Sequence, residues 1–244
     1  MDYVLKSLIA LFLLLSFQTS YANEPDVKLL KAPINPQDEA SLQRGAKYFM
    51  NFCSGCHSAE YMRYSQMAKD IKLSDSEGQI LTDLIKTNLM FNTTDINSHI
   101  TSGMTKIDAT KWFGTAPPDL TMVTRVRGND WVYTYLKSFY TDPKRPWGVN
   151  NLVFKDVAMP NVLQDYQGEQ NLVNHKLVQV KPGLYNSKEF NGLVADITNF
   201  LAYTAEPYKA IRIYYGVWVM LFLALFFVFA YLMKKEFWKD LKNK

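Results

Sequence analysis

Apolar residues recur at helical spacing in four stretches of the chain. Leu42, Ala46 and Phe49 share one face of a helix entered through Asn35-Pro36, with Asp38 and Glu39 in its first turn. Gly45 lies beside that face, where it would let another helix cross closely. Ile80, Leu81, Leu84 and Ile85 mark a second helix across 79–90. Val132, Tyr135, Leu136 and Phe139 mark a third, which opens after Gly128-Asn129-Asp130 and is stopped by Pro143. Phe190, Leu193, Val194, Ile197 and Leu201 form the clearest stripe, beginning after Ser187 and ended by Pro207. These stripes read as core. Between the third and fourth helices, residues 141–186 are rich in Asn, Gly and Pro and show little periodicity. The expectation there is a long loop, and long loops in compact domains are usually functional.

Two further stretches are apolar throughout. Ile213 to Met233 runs 21 residues without a charge, between Arg212 and Lys234. At about 1.5 Å rise per residue it spans about 30 Å, the thickness of a bilayer core. Tyr214, Tyr215, Trp218 and Tyr231 sit near its ends, as interfacial aromatics do. The expected transmembrane anchor is 211–233. At the other end, Lys6, the apolar run Leu8 to Phe17 and the small residues of Ser20-Tyr21-Ala22 read as a secretory signal over 1–22, with an uncleaved anchor as the alternative. Either reading exports the body, 23–210.

Charge changes the picture only when read by segment. The chain carries +4 overall, but the body holds 20 basic and 20 acidic residues. The excess comes from the segment beyond it, where Arg212, Lys234, Lys235, Lys239, Lys242 and Lys244 stand against Glu236 and Asp240; the lysines place the tail 234–244 on the cytoplasmic side by the positive-inside rule. The basic balance therefore reports a membrane tail, and no nucleic-acid partner is expected.

Cys53-Ser54-Gly55-Cys56-His57 carries the chemistry. A C-x-x-C-H run is the attachment site of a c-type haem. Two thiols separated by two residues can add to the vinyl groups on one porphyrin edge, and the following His supplies an axial nitrogen. A structural zinc site would need His99 and His175 to converge on the two cysteines. A thioredoxin-like pair would sit beside a βαβ pattern, which is not seen, and would not require His57. With both cysteines given to haem, no disulfide braces the domain.

A sixth iron ligand must come from elsewhere. Met50, Met62 and Met67 are close in sequence to His57 and reach the opposite face poorly, and Met90 ends an amphipathic helix. Met104, Met122 and Met159 are left, with His99 and His175 as bis-His alternatives. Among them Met159 stands out because Pro160 follows and stiffens its loop. Met/His ligation would raise the reduction potential.

The order of motifs resembles the cytochrome c1 subunit of the cytochrome bc1 complex (ubiquinol–cytochrome c reductase), in its bacterial form. The resemblance covers nearly the whole mature chain. It rests on Cys53 to Ser58 with Tyr61-Met62-Arg63-Tyr64, then Trp112-Phe113-Gly114-Thr115-Ala116-Pro117-Pro118-Asp119-Leu120. Arg125-Val126-Arg127, Trp147-Gly148-Val149-Asn150-Asn151, Ala158-Met159-Pro160 and Glu206-Pro207 before the anchor complete it. It implies Cys53 and Cys56 as thioether attachments of one covalent haem c, with His57 and Met159 as axial ligands. It also implies that Pro118 lies against the haem and that Arg127 approaches a propionate, the physical alternative for Arg127 being a solvated surface charge. Some relatives carry an extra disulfide, which this chain cannot form.

The implied fold is mainly α, a cytochrome-c-like helical haem domain with long loops plus one C-terminal transmembrane helix. The implied role is one-electron transfer without bond chemistry by side chains. A Rieske iron–sulfur protein delivers the electron, and a periplasmic cytochrome c accepts it. Cytochrome b is a further partner, and the complex is dimeric. Asp75, Glu77 and Asp83 are candidate docking acids. The alternatives are a tail-anchored monohaem cytochrome serving another oxidase or reductase, and a haem-based sensor with an open sixth position.

Overall fold

The computed structural model describes residues 27–242, so the expected signal segment lies outside the described residues. Two helices make the frame. α1, Glu39–Phe52, buries Leu42, Gly45, Ala46, Phe49 and Met50. The long final helix of the domain, Ser187–Ala205, buries Phe190, Leu193, Val194, Ile197, Phe200 and Leu201. The two stripes pack on each other, with Phe49 and Phe200 rings 5.5 Å apart. Each large apolar side chain so buried contributes roughly 1.5–3 kcal/mol. Gly45 sits at the crossing, as its position suggested.

A buried polar cluster registers the pair. Asp196 accepts Arg44 Nε at 2.6 Å, Arg44 Nη2 at 2.9 Å and Ser41 Oγ at 2.7 Å. Asn199 Nδ2 donates to Ser41 Oγ and to the carbonyl of Asn35. These bonds satisfy a carboxylate that would otherwise be expensive to bury.

The remaining elements, in chain order, are β1 (Ala59–Arg63), α2 (Tyr64–Asp70), α3 (Thr82–Leu89), β2 (His99–Ile100), α4 (Lys106–Phe113), α5 (Val123–Arg127) and α6 (Asn129–Lys137). They continue with β3 (Phe139–Thr141), β4 (Val149–Asn151), α7 (Gln164–Gln167), β5 (Gly168–Val173) and β6 (Lys176–Pro182). The domain closes with the helix Ser187–Ala205, here α8, and α9 (Lys209–Lys242) follows. Strands form three antiparallel ribbons, β1–β2, β3–β4 and β5–β6. The architecture is mainly helical with long connections and one terminal apolar helix, as the stripes required. Within α9, Ile211–Lys239 is long and apolar enough to cross a membrane, its most apolar 18-residue window having a mean hydropathy of 2.4.

Three expectations about elements are corrected. The first helix is capped by Asp38, whose side chain accepts the Ser41 N–H, while Asn35 closes the preceding turn by accepting Gln37 N–H. The third ends at Lys137, and Phe139 enters a strand, so the stop comes well before Pro143. Residues 141–186 are not one irregular loop, because they contain β4, α7 and the β5–β6 hairpin.

The junction with α9 is electrostatic. Glu206 caps the end of α8, and its carboxylate meets Arg212 at 2.6 Å, Lys209 at 3.3 Å and Arg125 at 3.5 Å. The Arg212 hydrogen bond is the main reason its pKa lies below the ordinary carboxylate value; Lys209 adds to it.

Candidate functional site

The cysteines sit where α1 runs out. Cys53 is its C-cap, and its N–H still reaches the Phe49 carbonyl. The chain then turns tightly, with Cys56 N and His57 N both donating to the Cys53 carbonyl at 3.0 and 2.8 Å. Ser54 Oγ secures the turn by donating to the Met50 carbonyl, and Ser102 Oγ donates to that of Gly55. Both thiols are free; Cys53 is buried and Cys56 half-buried. Burial pushes the Cys53 thiol up to about 12, aided by its neighbour Cys56, and raises Cys56 as well. Neither thiol is poised as a thiolate nucleophile, which disfavours a dithiol redox role.

His57 is buried, and its Nδ1 lies 2.7 Å from the Pro118 carbonyl oxygen. A carbonyl only accepts, so Nδ1 carries the proton and Nε2 presents a lone pair. Burial lowers the imidazole pKa, opposed by the Pro118 bond and by Asp119, and keeps the ring in its neutral, ligating form. Pro118 is held in place by its neighbour. Asp119 Oδ2 accepts Ser58 Oγ and the Glu60 N–H, both at 2.7 Å, while Leu120 N donates to the Ser58 carbonyl. Burial works to raise the Asp119 pKa, but the bonds from Thr121, Glu60 and Ser58 outweigh it and hold the carboxyl below its ordinary value. Segment 118–121 is thereby fastened along 57–61.

Met159 stands on a second apolar cluster, with Phe139, Val149 and Val157. The loop that carries it is clamped by side chains. Asn151, fully buried, accepts Ser138 Oγ, Val153 N and Phe154 N and donates to the Tyr135 carbonyl at 2.8 Å. Asn150 Oδ1 accepts Asp156 N, and Arg145 reaches both the Asp156 carboxylate and the Asp156 carbonyl. Tyr135 belongs to both cores, and its hydroxyl donates to Met159 Sδ at 3.4 Å. Burial raises its phenol well above the ordinary value, so it stays a donor.

The structure thus brings Cys53, Cys56, His57 and Pro118 together. It joins Met159 and Arg127 through α6: the Arg127 guanidinium lies over Trp131 at 5.3 Å, Trp131 stacks on Tyr135 at 5.0 Å, and Tyr135 meets Met159. Arg127 itself is exposed and forms no ion pair among the described residues. Of the other ligand candidates, His99 is exposed and bonded to the Glu60 carbonyl, and His175 is exposed at the β5–β6 turn. Met104 and Met122 are half-buried, Met122 as the residue before α5. Asp75, Glu77 and Asp83 are exposed, and Asp75 closes a turn by accepting Glu77 N and Gln79 N. Sequence reasoning gave no role to Asp119, Tyr135, Asn150 or Asn151. Asp119, Asn150 and Asn151 stand inside the quoted motifs, which was the available signal; Tyr135 carried none beyond its helical stripe.

The donor set fits a c-type haem: two unpaired thiols on one turn, an imidazole with Nδ1 already committed, and a thioether held on a stiffened loop.

Comparison with known proteins gives the family. The model of the Cytochrome C1 family matches residues 30–241. Cytochrome c1 of Allochromatium vinosum is 47% identical, covering 96% of this chain and 98% of that protein. A protein of Nitrosomonas europaea named ammonia monooxygenase gamma subunit is 42% identical, covering 98% and 99%. Cytochrome c1 of Rhodospirillum rubrum is 25% identical over 84% of each. A solved chain of a hyperthermophilic respiratory complex III aligns over 100% of this chain and 99% of that one, with 15% identity and a TM-score of 0.46. The match runs from before α1, through the C-x-x-C-H turn and the Met159 loop, into the terminal apolar helix: this chain belongs to the Cytochrome C1 family.

Proposed function

We propose that this chain is the cytochrome c1 of a respiratory bc1 complex, carrying one covalent haem c on Cys53 and Cys56. When bound, that group supplies a reversible one-electron iron centre. His57 Nε2 and Met159 Sδ would ligate its iron, Pro118 orients the imidazole, and Arg127 would be the cation for a propionate. The observation that carries this reading is the Nδ1–Pro118 bond, which turns the free nitrogen of a buried neutral imidazole into a ligand beside two unpaired thiols. Electrons arrive singly from a Rieske iron–sulfur protein and leave to a periplasmic cytochrome c.

The body 23–210 is periplasmic after loss of 1–22. The anchor 211–233 crosses the inner membrane beside a cytochrome b subunit, the tail 234–244 is cytoplasmic, and the complex is a dimer. The long apolar α9 and the lysines after Met233 support that orientation.

The relative named ammonia monooxygenase gamma subunit motivates a second reading, in which the same haem domain serves an oxygenase. Purification of the tagged full chain from membranes in mild detergent, with a pyridine haemochrome spectrum, separates the two. Co-purifying b-type haem and an iron–sulfur signal are expected. If c-type haem alone appears while the membranes still oxidise quinol, the bc1 assignment fails and the second reading replaces it.

A further inference from the structure

We propose that Tyr135 is a positioning residue for the haem's sixth ligand, holding the Met159 thioether by a hydrogen bond and thereby raising the reduction potential. The inference rests on Met159 being that ligand. The Tyr135 hydroxyl is 3.4 Å from Met159 Sδ, a contact length suited to a sulfur acceptor. A thioether sulfur has two lone pairs. With one taken by the hydroxyl, the other is fixed in direction and left for the metal.

The ring cannot easily turn away. It stacks on Trp131 at 5.0 Å and 9°, and meets the Phe139 ring edge-on at 5.3 Å and 71°. Its backbone carbonyl is held by Asn151, the same residue that binds the start of the Met159 loop through Val153 N and Phe154 N. Donor and acceptor are therefore positioned by one shared side chain, and a change in either reaches the other. A hydrogen bond to the sulfur withdraws electron density from it. That weakens donation to ferric iron more than to ferrous iron, because the ferric ion relies more on σ-donation, and so favours the reduced state.

The test is an equilibrium redox titration of the haem in the detergent-solubilised full chain, wild type against Tyr135→Phe. The sulfur-to-iron charge-transfer band of the oxidised form is recorded alongside. Tyr133→Phe is the control, since that hydroxyl lies on the same helix but meets Lys137 Nζ. In Tyr135→Phe the oxidised-to-reduced ratio at fixed poise is expected to rise about threefold to tenfold, a fall of about 28–59 mV for a one-electron couple. The band persists, and Tyr133→Phe does not move the potential. An unmoved potential in Tyr135→Phe with the band intact overturns the proposal. A wild-type protein without the band removes Met159 as ligand and the proposal with it, which distinguishes the two failures. If Tyr135→Phe does not accumulate, fluorotyrosine at this position, a stronger donor of nearly the same size, is expected to raise the potential; no rise overturns the proposal equally.

Discussion

Gly45 on α1 lies so close to α8 that a Cβ there would stand 2.1 Å from the carbonyl oxygen of Asp196 and 2.7 Å from Phe200 Cβ. The obstacle is backbone, which cannot rotate aside. The α1–α8 crossing that sets the end of α1, and so the position of Cys53, therefore depends on a missing side chain. Gly45→Ala is expected to destabilise the domain by about 1–3 kcal/mol, the usual penalty for overpacking. Thermal unfolding of the haem-loaded chain checks this; an unchanged midpoint would mean the helices part without loss.

Asn151→Ala removes the acceptor of three donors and the donor to Tyr135 in one step. Leaving buried backbone groups unpaired costs roughly 1–3 kcal/mol. The substitution should lower the unfolding midpoint and weaken the sulfur-to-iron band, because the Met159 loop loses its clamp. A lowered midpoint with a full-strength band would show that the loop is held by Asn150 and Arg145 alone.

The Glu206 carboxylate titrates below its ordinary value, chiefly through the Arg212 hydrogen bond. A depressed carboxylate stabilises the fold above its unfolded pKa, and the contribution is lost as pH falls through the folded value. Glu206→Gln should therefore unfold at a lower temperature than wild type at neutral pH. The gap should close as the pH drops below 4.5, the reference value for Glu. Raising the salt concentration should narrow it too, since the cluster is exposed on its cationic side. A gap independent of pH would assign the effect to packing rather than charge.

Attachment through both thiols predicts that haem stays with the polypeptide on a denaturing gel, and that Cys53→Ala with Cys56→Ala releases it. Each single variant should keep one thioether and shift the reduced absorption band to longer wavelength, as one vinyl group returns to conjugation. Haem retained in the double variant would rule out the thioether assignment.

Some of this was legible in the chain, for stated reasons. The C-x-x-C-H turn is local chemistry, complete within five residues, so no fold was needed to read it. The stripes of α1, α6 and α8 were legible because each buries one face, and burial leaves a 3.6-residue signature in composition. The uniform apolarity of 213–233 needed only length. The β5–β6 hairpin was illegible for the converse reason. Val178 and Val180 lie exposed, so neither face imposes alternation, and its turn uses Asn174-His175, both at positive φ, without the glycine that signals such a turn.

By itself, then, the sequence determined that two cysteines and a histidine would share one C-x-x-C-H run, that the domain would be mainly helical, and that one terminal helix was apolar enough for a bilayer. Each is a property of neighbours along the chain. Only the tertiary structure decided what orients the imidazole, what clamps the Met159 loop, and which hydroxyl meets its sulfur. His57 and Pro118 are 61 residues apart, and Tyr135 and Met159 are 24 apart. Contacts at such separations leave no periodicity, because they depend on where α1, α6 and α8 pack and not on the spacing within any one of them.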